Sequence, residues 1–182
     1  MEYKIVKSNR KTMAIEIKNG TIIVKAPLMM TNSAINTFVN DNIKWIETHL
    51  AKSEAAKAKR DSVDKLTMDE VRELANKALE VIPERVRYYA PLVGVTYGRI
   101  TIRNQHTKWG SCSSKGNLNF NCLLMLAPAE VLDSIVVHEL CHRKEMNHSS
   151  KFYDEVLRVM PDYWDRYKWL KENGDTLMAR MP

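Results

Sequence analysis

The stretch from residue 135 to 142 reads Ile-Val-Val-His-Glu-Leu-Cys-His and decides how the rest of the chain is interpreted. His138 and His142 are four residues apart, so on a helix both imidazoles lie on one face and can reach one metal ion. Glu139 lies about 100° further round the helix, where its carboxylate can stand beside the ion without binding it. The pattern therefore predicts an active-site helix that carries a zinc site and a base for the zinc-bound water.

A catalytic zinc ion needs a third protein ligand and leaves its fourth position to water. His148 would lie about 9 Å further along a continuing helix, so it reaches the ion only if the helix ends and the chain turns back. Asn147 tolerates the left-handed conformation that such an end requires. Glu145 is the rival, because it shares the face of the two histidines if the helix continues. We favour His148; weaker candidates are Asp154 and Glu155.

The length and composition are those of an ordinary globular protein. The 182 residues are 45% hydrophobic and 27% charged, which suits one domain with a small appendage. The three cysteines are scattered and odd in number, which favours reduced thiols over a disulfide framework. Residues 1–10 lack the apolar core of a signal peptide, and no run approaches the roughly 20 apolar residues of a membrane span. We therefore expect a cytoplasmic protein with no membrane partner.

The formal net charge of +6 is compatible with a nucleic acid or another polyanion as partner. No nucleic-acid-binding motif accompanies this charge, and several lysines lie among alanines near residues 51–60, where a solvated helix face explains them. Nucleic acid is therefore a weakly supported partner.

The first part of the chain is predicted to begin with strands. Residues 3–7 and 13–18 alternate apolar and polar side chains, which is typical of half-buried strands. Asn19 and Gly20 separate the second run from another apolar run at residues 21–25. An Asn-Gly pair between alternating runs is a strong signal for a β-hairpin.

A helix is predicted to follow the hairpin. Thr31 or Asn32 supplies its N-cap, and we expect it to continue through the Ala/Lys/Glu-rich residues 51–60, which have high helix propensity and little to bury. We therefore divide the chain into an N-terminal hairpin and helix subdomain with a connector, residues 1–60, and a catalytic domain, residues 61–182.

The catalytic domain is expected to combine helices with a second sheet. Thr67 and Glu70 form a capping-box pattern at the start of an amphipathic helix. Residues 95–101 and 118–126 have the composition of strands, and residues 107–116 between them are rich in turn formers.

Two more helices are predicted around the histidine motif. Pro128 suits the first turn of the helix that carries the motif. Ser149 is a good N-cap for a helix after the third histidine, and Pro161 interrupts that helix.

Several motifs follow one another in the second half of the chain. In order they are Trp109-Gly110-Ser111-Cys112, Leu118-Asn119, residues 137–142, and Asn147-His148-Ser149 with Phe152. Together they resemble the YgjP-like metallopeptidase family, which is similar to the SprT-like and WLM metallopeptidases. The resemblance implies an α+β fold with a zincin-like core, in which a small antiparallel sheet lies against the active-site helix. It implies zinc ligands at His138, His142 and His148 and a catalytic base at Glu139.

The function that these observations predict is a zinc-dependent metallopeptidase, which hydrolyses peptide bonds of a peptide or protein substrate through zinc-bound water activated by Glu139. Two alternatives stay open. One is an SprT-like protease that acts on DNA-associated proteins. The other is a metal-dependent hydrolase of nucleotides or other phosphoesters, although the chain has no phosphate-binding glycine loop.

The substrate-binding residues are harder to predict. Trp109, Gly110 and Ser111 are candidates for a cleft wall whose strand edge pairs with an extended peptide. Equally, Trp109 can be a core residue and Gly110 a turn residue. A donor to the developing oxyanion is also needed, and the candidates for it are Tyr153, Tyr163, His106 and Arg103.

Overall fold

The computed structural model describes residues 1–18 and 20–182, with the side chain of Lys59 left aside. The chain forms two compact units, Met1–Ser62 and Val63–Pro182. Each unit has a hydrophobic core of its own.

The first unit begins with a three-stranded sheet of strands β1 (Lys4–Ser8), β2 (Ala14–Lys18) and β3 (Thr21–Pro27). The strand order is β1-β3-β2, with β1 parallel and β2 antiparallel to β3. The antiparallel pairing of β2 with β3 confirms the predicted hairpin, although Asn19 lies outside the described residues. Buried and half-buried residues alternate along β3, so one face of the sheet is turned to the core.

Two helices complete the first unit: α1 (Asn32–Asp41) and α2 (Ile43–Asp61). The Thr31 hydroxyl caps α1 by accepting a hydrogen bond from a backbone N–H, as predicted. The prediction of one continuous helix is wrong, because the chain breaks at Asn42. Its side-chain amide donates to the carbonyl of Phe38 at 2.8 Å, a local bond that competes with the helical pattern. The core of this unit consists of Ile22, Val24, Ala26, Ile35, Val39 and Ile46.

The second unit opens with a long helix, α3 (Met68–Val93). The predicted capping box is present, because the Thr67 hydroxyl accepts from the Glu70 N–H while the Glu70 carboxylate accepts from the Thr67 N–H. The helix ends at Gly94, whose φ of +79° is the left-handed conformation that glycine adopts without a steric penalty.

A second three-stranded sheet follows, formed by β4 (Ile100–Arg103), β5 (Gly110–Cys112) and β6 (Leu118–Asn121). The order is β4-β6-β5, with β4 parallel and β5 antiparallel to β6. This sheet is therefore mixed and not antiparallel as expected. The reason is that β6 occupies the centre, so that the first and third strands run side by side in the same direction.

The predicted strand boundaries also need correction. Residues 95–99 are not a strand, and the turn-rich segment contains the short strand β5. After β6 the chain winds into a 3₁₀ helix, Cys122–Leu126, instead of continuing extended. The cause is local, since the Asn121 side chain accepts a hydrogen bond from the Leu123 N–H at 3.1 Å and caps the turn.

The last three helices are α4 (Ala129–Cys141), α5 (Ser150–Val159) and α6 (Tyr163–Ala179). Helix α4 starts directly after Pro128. Helix α5 follows Ser149, which holds the predicted N-cap position but makes no side-chain capping hydrogen bond. Helix α4 is almost wholly buried, between α3, α5 and α6 and against β5. The expected α+β fold, with a small sheet against the helix that carries the histidine motif, is confirmed. Among the described residues, no helix is both long and apolar enough to span a bilayer.

Candidate metal centre

The end of α4 brings two of the predicted histidines together. His138 lies in the last turn of the helix, and His142 is its C-cap. Their ring centroids are 4.9 Å apart, as expected for residues four apart on one helical face. The helix ends earlier than expected, at Cys141 and six residues before Asn147, so the chain can leave its axis directly after the motif.

The segment after α4 returns the third histidine to the first two. The Nε2 atoms of His148 and His138 lie 3.0 Å apart, and the ring centroids of His148 and His142 are 4.8 Å apart. One nitrogen from each of the three rings lies within 4.8 Å of the others. Among the described residues, no other His, Cys, Asp or Glu side chains form such a group.

One phenylalanine packs against all three rings. Phe152 is fully buried, and its ring centroid lies 4.8 Å from His138, 4.5 Å from His142 and 5.0 Å from His148. It belongs to α5, the helix that starts directly after the third histidine. The three imidazoles therefore share one buried aromatic neighbour, while the Nε2 atoms of His138 and His148 face each other.

The Nδ1 atoms of His138 and His142 have hydrogen-bond partners of their own. His142 Nδ1 lies 3.0 Å from the backbone carbonyl of Glu145. A carbonyl only accepts, so Nδ1 of His142 carries the hydrogen and its Nε2 keeps a lone pair. His138 Nδ1 lies 3.0 Å from the hydroxyl of Tyr163.

The carboxylates considered as rival ligands lie elsewhere. Glu145 contributes its backbone carbonyl to His142, and its side chain is not part of the three-histidine group. Glu155 forms ion pairs with Lys144 at 2.8 Å and Arg158 at 2.9 Å. Asp154 is exposed and lies outside the group.

Burial keeps His138 and His142 neutral in the metal-free protein. It lowers the pKa of His138 to about 3, with nearby His142 and His148 acting in the same direction. Burial also lowers the pKa of His142, and His148 adds to the effect, while the carbonyl of Glu145 opposes it. Neutral imidazole is the form that binds a metal ion, so protons compete weakly for these nitrogens.

Glu139 stands beside the cluster as a buried carboxyl group. The residue is 5% exposed, and its Oε2 has no hydrogen-bond partner among the described atoms. Burial raises the pKa of Glu139 to about 8, and the positive charge of Lys108 opposes this shift. A buried acid with a free oxygen and a strongly raised pKa is typical of a functional site.

Gly110 makes room for this carboxyl group. A Cβ atom at Gly110 would lie 2.6 Å from Oε1, 2.7 Å from Cγ and 2.9 Å from Cδ of Glu139. Real Cβ atoms do not approach other heavy atoms so closely. Strand β5 and helix α4 therefore touch at this point because the strand has no side chain there.

The other predicted site residues lie near this contact. The ring of Trp109 lies against α6, because a Cβ at Gly174 would be 3.3 Å from its Cζ2 and Nε1 atoms. The Ser111 hydroxyl accepts from the Asn119 amide on β6 at 3.1 Å. Among the candidate oxyanion donors, Tyr163 forms a hydrogen bond with His138 through its hydroxyl. The ring centroid of Tyr153 lies 6.3 Å from that of His148. The other two candidates are exposed: Arg103 at the end of β4 and His106 in the loop that follows.

Two features of the site were missed in the sequence. The contact between Gly110 and Glu139 joins residues 29 positions apart, and no local sequence pattern indicates it. The bond between Tyr163 and His138 likewise joins two elements that meet only in the fold. The available signal was weak: a tyrosine at the start of a helix after Pro161.

Comparison with known proteins identifies the family. A family model described as the YgjP-like metallopeptidase domain matches residues 11–73 and 65–173. Among solved structures, the chain is similar to the metallopeptidase zymogen abylysin of Pyrococcus abyssi, with 21% identity, a TM-score of 0.46, and coverage of 50% of this chain and 94% of that chain. It is also similar to the metallopeptidase zymogen jannalysin of Methanocaldococcus jannaschii, with 22% identity, a TM-score of 0.46, and coverage of 52% and 97%.

No functionally curated protein matches the sequence. The family model, by contrast, spans most of the chain and includes the helix with the histidine motif as well as the first unit from residue 11 onwards. The resemblance that the motifs carried is thereby confirmed. The chain belongs to the YgjP-like metallopeptidase family.

Proposed function

We propose that the protein is a zinc-dependent metallopeptidase that hydrolyses peptide bonds in a peptide or protein substrate. His138, His142 and His148 are the proposed zinc ligands, and Glu139 is the proposed catalytic base. The observation that carries the proposal is the meeting of three imidazole nitrogens within 4.8 Å beside a buried carboxyl group with a free oxygen.

The donor set fits zinc. Three neutral imidazoles are a ligand set that catalytic zinc sites use, with one position left for water or substrate. The hydrogen bond between His142 Nδ1 and the Glu145 carbonyl is the kind of outer contact that orients metal-binding imidazoles. The side chain of Glu139 is not in the ligand group, which suits a base and not a fourth ligand.

The proposed chemistry divides between the ion and the protein. When bound, zinc supplies Lewis-acid chemistry, which lowers the pKa of water towards 7 and polarises the scissile carbonyl. In its ionised form, Glu139 accepts the proton of the attacking water at Oε2 and later delivers it to the leaving nitrogen. Its low exposure excludes bulk water from this proton transfer, and Gly110 holds the carboxyl group close to β5.

The substrate is proposed to lie along β5. This strand is at the edge of its sheet, so one row of its backbone groups is free of strand partners within that sheet. An extended peptide that pairs with Gly110 and Ser111 by strand addition would run past Glu139, with Trp109 directly before the strand. Backbone pairing of this type favours extended segments and leaves the side-chain preference to the pockets around the cleft.

A peptide-cleavage assay tests the proposal directly. The protein is incubated with a pool of quenched fluorescent peptides, then with a chelator, and then with added zinc. We expect cleavage that the chelator abolishes and zinc restores. Glu139→Gln keeps the shape of the side chain but removes the base, and we expect it to lower kcat by about 10²- to 10⁴-fold.

Controls separate chemistry from misfolding. Glu145→Gln is the matched variant, because it changes a carboxyl group near the site that has no proposed role in proton transfer. We expect it to cleave like the wild type. Equal activity of the wild type and Glu139→Gln after zinc loading would contradict the proposed role of Glu139.

The uneven charge of the two units favours a second candidate, a peptidase that acts on proteins bound to DNA. The first unit has 11 Lys and Arg against 6 Asp and Glu, a net charge of +5, whereas the second has 17 against 16, a net charge of +1. A basic module in the same chain as a peptidase unit suits a substrate associated with a polyanion. We expect cleavage stimulated by DNA and an affinity for DNA that falls steeply with salt. Cleavage that DNA does not change would remove this candidate and leave the peptidase proposal intact.

A further inference from the structure

We infer that the Tyr163 hydroxyl positions the metal centre by holding His138 in the tautomer that leaves Nε2 free to bind the ion. The inference rests on the proposed function, because it assigns a role to Tyr163 at the same three-histidine site. It concerns the protein's own hydrogen bonds, so it can be tested in the metal-free protein as well as with zinc.

The position of Tyr163 is fixed by the backbone and by burial. Tyr163 is the first residue of α6, it is 1% exposed, and its N–H donates to the carbonyl of Met160 at 3.1 Å. The hydroxyl lies 3.0 Å from Nδ1 of His138. A hydroxyl held so firmly on a ring nitrogen controls both the orientation of the imidazole and the place of its hydrogen.

The number of hydrogens and lone pairs on the His138 ring fixes which atom donates in its bond to Tyr163. A neutral imidazole has one N–H and one lone pair. Nε2 of His138 faces Nε2 of His148 at 3.0 Å, inside the cluster, so Nε2 is the atom that would bind the ion. Nε2 must then keep the lone pair, and Nδ1 must carry the hydrogen. The oxygen of Tyr163 therefore accepts this hydrogen bond, although a tyrosine hydroxyl is chemically able to donate it.

The contrast with His142 shows why Tyr163 matters. The partner of His142 is a backbone carbonyl, which only accepts. Nδ1 of His142 must therefore carry the hydrogen. The partner of His138 is a side chain, so a single substitution can remove it. His138 is therefore the ligand whose tautomer depends on a side-chain hydroxyl.

The competing explanation is that Tyr163 merely fills space. Its ring packs beside those of Tyr153, Trp164 and Tyr167, and the three centroids lie 5.2 to 6.4 Å away. Tyr163→Phe keeps this aromatic packing and removes only the oxygen. A packing role predicts little change at His138, whereas a positioning role predicts a change of tautomer.

The first test is the ring ¹⁵N NMR spectrum of the metal-free protein at pH 7.5, where long-range couplings identify the protonated nitrogen of each neutral histidine. The chain has five histidines, and His138 is assigned by comparison with His138→Gln. We expect the Nδ1–H form at His138 in the wild type and a mixture of both tautomers in Tyr163→Phe. A wild-type His138 that carries its hydrogen on Nε2 would overturn the inference without any need for the tyrosine variant.

The second test is zinc affinity, measured by competition with a chromogenic chelator. We expect Tyr163→Phe to weaken zinc binding by about 10- to 100-fold, the usual effect of losing an outer partner of a metal ligand. Tyr167→Phe is the matched control, since it lies one turn along the same helix and is 42% exposed, and it should bind zinc like the wild type. Equal affinity of Tyr163→Phe and the wild type, with unchanged tautomers, would refute the positioning role while the zinc proposal stands. A tautomer change in a protein that binds no zinc in any form would support the positioning role and refute the zinc proposal.

Discussion

The two units share one sheet topology but bury different kinds of residue. In both, three strands form a mixed sheet in which the last strand lies at the centre, parallel to the first and antiparallel to the second. The fully buried side chains described in the first unit are all apolar. The second unit buries five polar or charged residues besides its apolar core: Asn121, Asp133, Ser134, Glu139 and His142.

Burial in the first unit serves folding alone, whereas the second unit also buries polar groups of the kind that a functional site uses. Apolar burial stabilises the first unit, and nothing in that core has chemistry beyond packing. Burial of a carboxyl group such as Glu139 costs stability unless it is compensated, and proteins tolerate this cost where function requires it. Some polar burial in the second unit is structural, since Arg85 binds Asp133 through two bonds of 2.6 Å. Glu139 has no such partner for Oε2, which distinguishes it from Asp133.

The largest effect on stability is expected in the apolar core of the first unit. Ile46 is fully buried, and Ile46→Ala removes three carbon atoms from the core of this unit. We expect a loss of about 2 to 5 kcal/mol in the unfolding of this unit, measured by urea denaturation. The zinc content of the second unit should not change at temperatures where both units remain folded. Loss of zinc in that variant would show that the two units do not divide their roles as described.

A smaller effect, on activity and not on zinc content, is expected at the contact between β5 and α4. Gly110→Ala puts a methyl group where the carboxyl group of Glu139 lies, so this carboxyl group, the proposed base, must move. Gly110 does not have a positive φ, so alanine is acceptable to the backbone itself. We expect kcat to fall by about 100-fold, because displacement of a catalytic group by about 1 Å has such consequences.

Ser111→Ala is the control for this variant, since it alters the neighbouring side chain on the same strand without approaching Glu139. It should lose only its hydrogen bond to Asn119. In the double variant Gly110→Ala/Glu139→Gln, the glycine change should add little to the loss already caused by removal of the base. Full additivity would show that Gly110 acts independently of Glu139.

The smallest of these effects is the pH dependence of stability in the metal-free protein. The pKa of Glu139 is raised by burial from its ordinary value of 4.5 to about 8, so the folded state binds more protons than the unfolded state between these values. This contribution to stability is fully present below pH 4.5 and is lost as the pH rises through 8. The pKa of His138, lowered to about 3, acts with the opposite sign between pH 3 and its ordinary value of 6.5.

Comparison with Glu139→Gln isolates the carboxyl group from the histidine. From pH 5 to pH 7, the wild type should lose about 2 kcal/mol of unfolding free energy relative to the variant. The reason is that folded wild type keeps a proton on Glu139 that the unfolded chain releases, whereas glutamine does not titrate. Urea denaturation of both metal-free proteins at the two pH values gives this difference. A difference that stays constant with pH would show that Glu139 is not held in a buried, uncompensated environment.

The elements that were predicted correctly are those with strong local signals. The capping box of Thr67 and Glu70, the N-cap Thr31 and the pairing of β2 with β3 are all present. Each depends on contacts within a few residues, which a sequence displays directly. The spacing of His138 and His142 likewise fixes their proximity through helix geometry alone.

The features that were predicted wrongly depend on competition between local and distant contacts. Asn42 interrupts a segment of high helix propensity through one side-chain bond, and Asn121 turns an apolar run from strand into a 3₁₀ helix. The short strand β5 exists because β6 lies beside it, not because three residues have a strand preference of their own. The contact of Gly110 with Glu139 depends in turn on the placement of that strand against α4.

The most direct test of the central claim is the zinc content of three purified proteins by mass spectrometry: the wild type, His148→Ala and Glu139→Gln. We predict about one zinc ion per chain in the wild type and in Glu139→Gln, and loss of the ion in His148→Ala, because the proposed ligands are the three histidines and not the carboxyl group. Full zinc content without His148 would reject it as a ligand and make Glu145 the next candidate. Absence of zinc from the wild type after reconstitution with the metal would contradict the account of this site as a zinc centre.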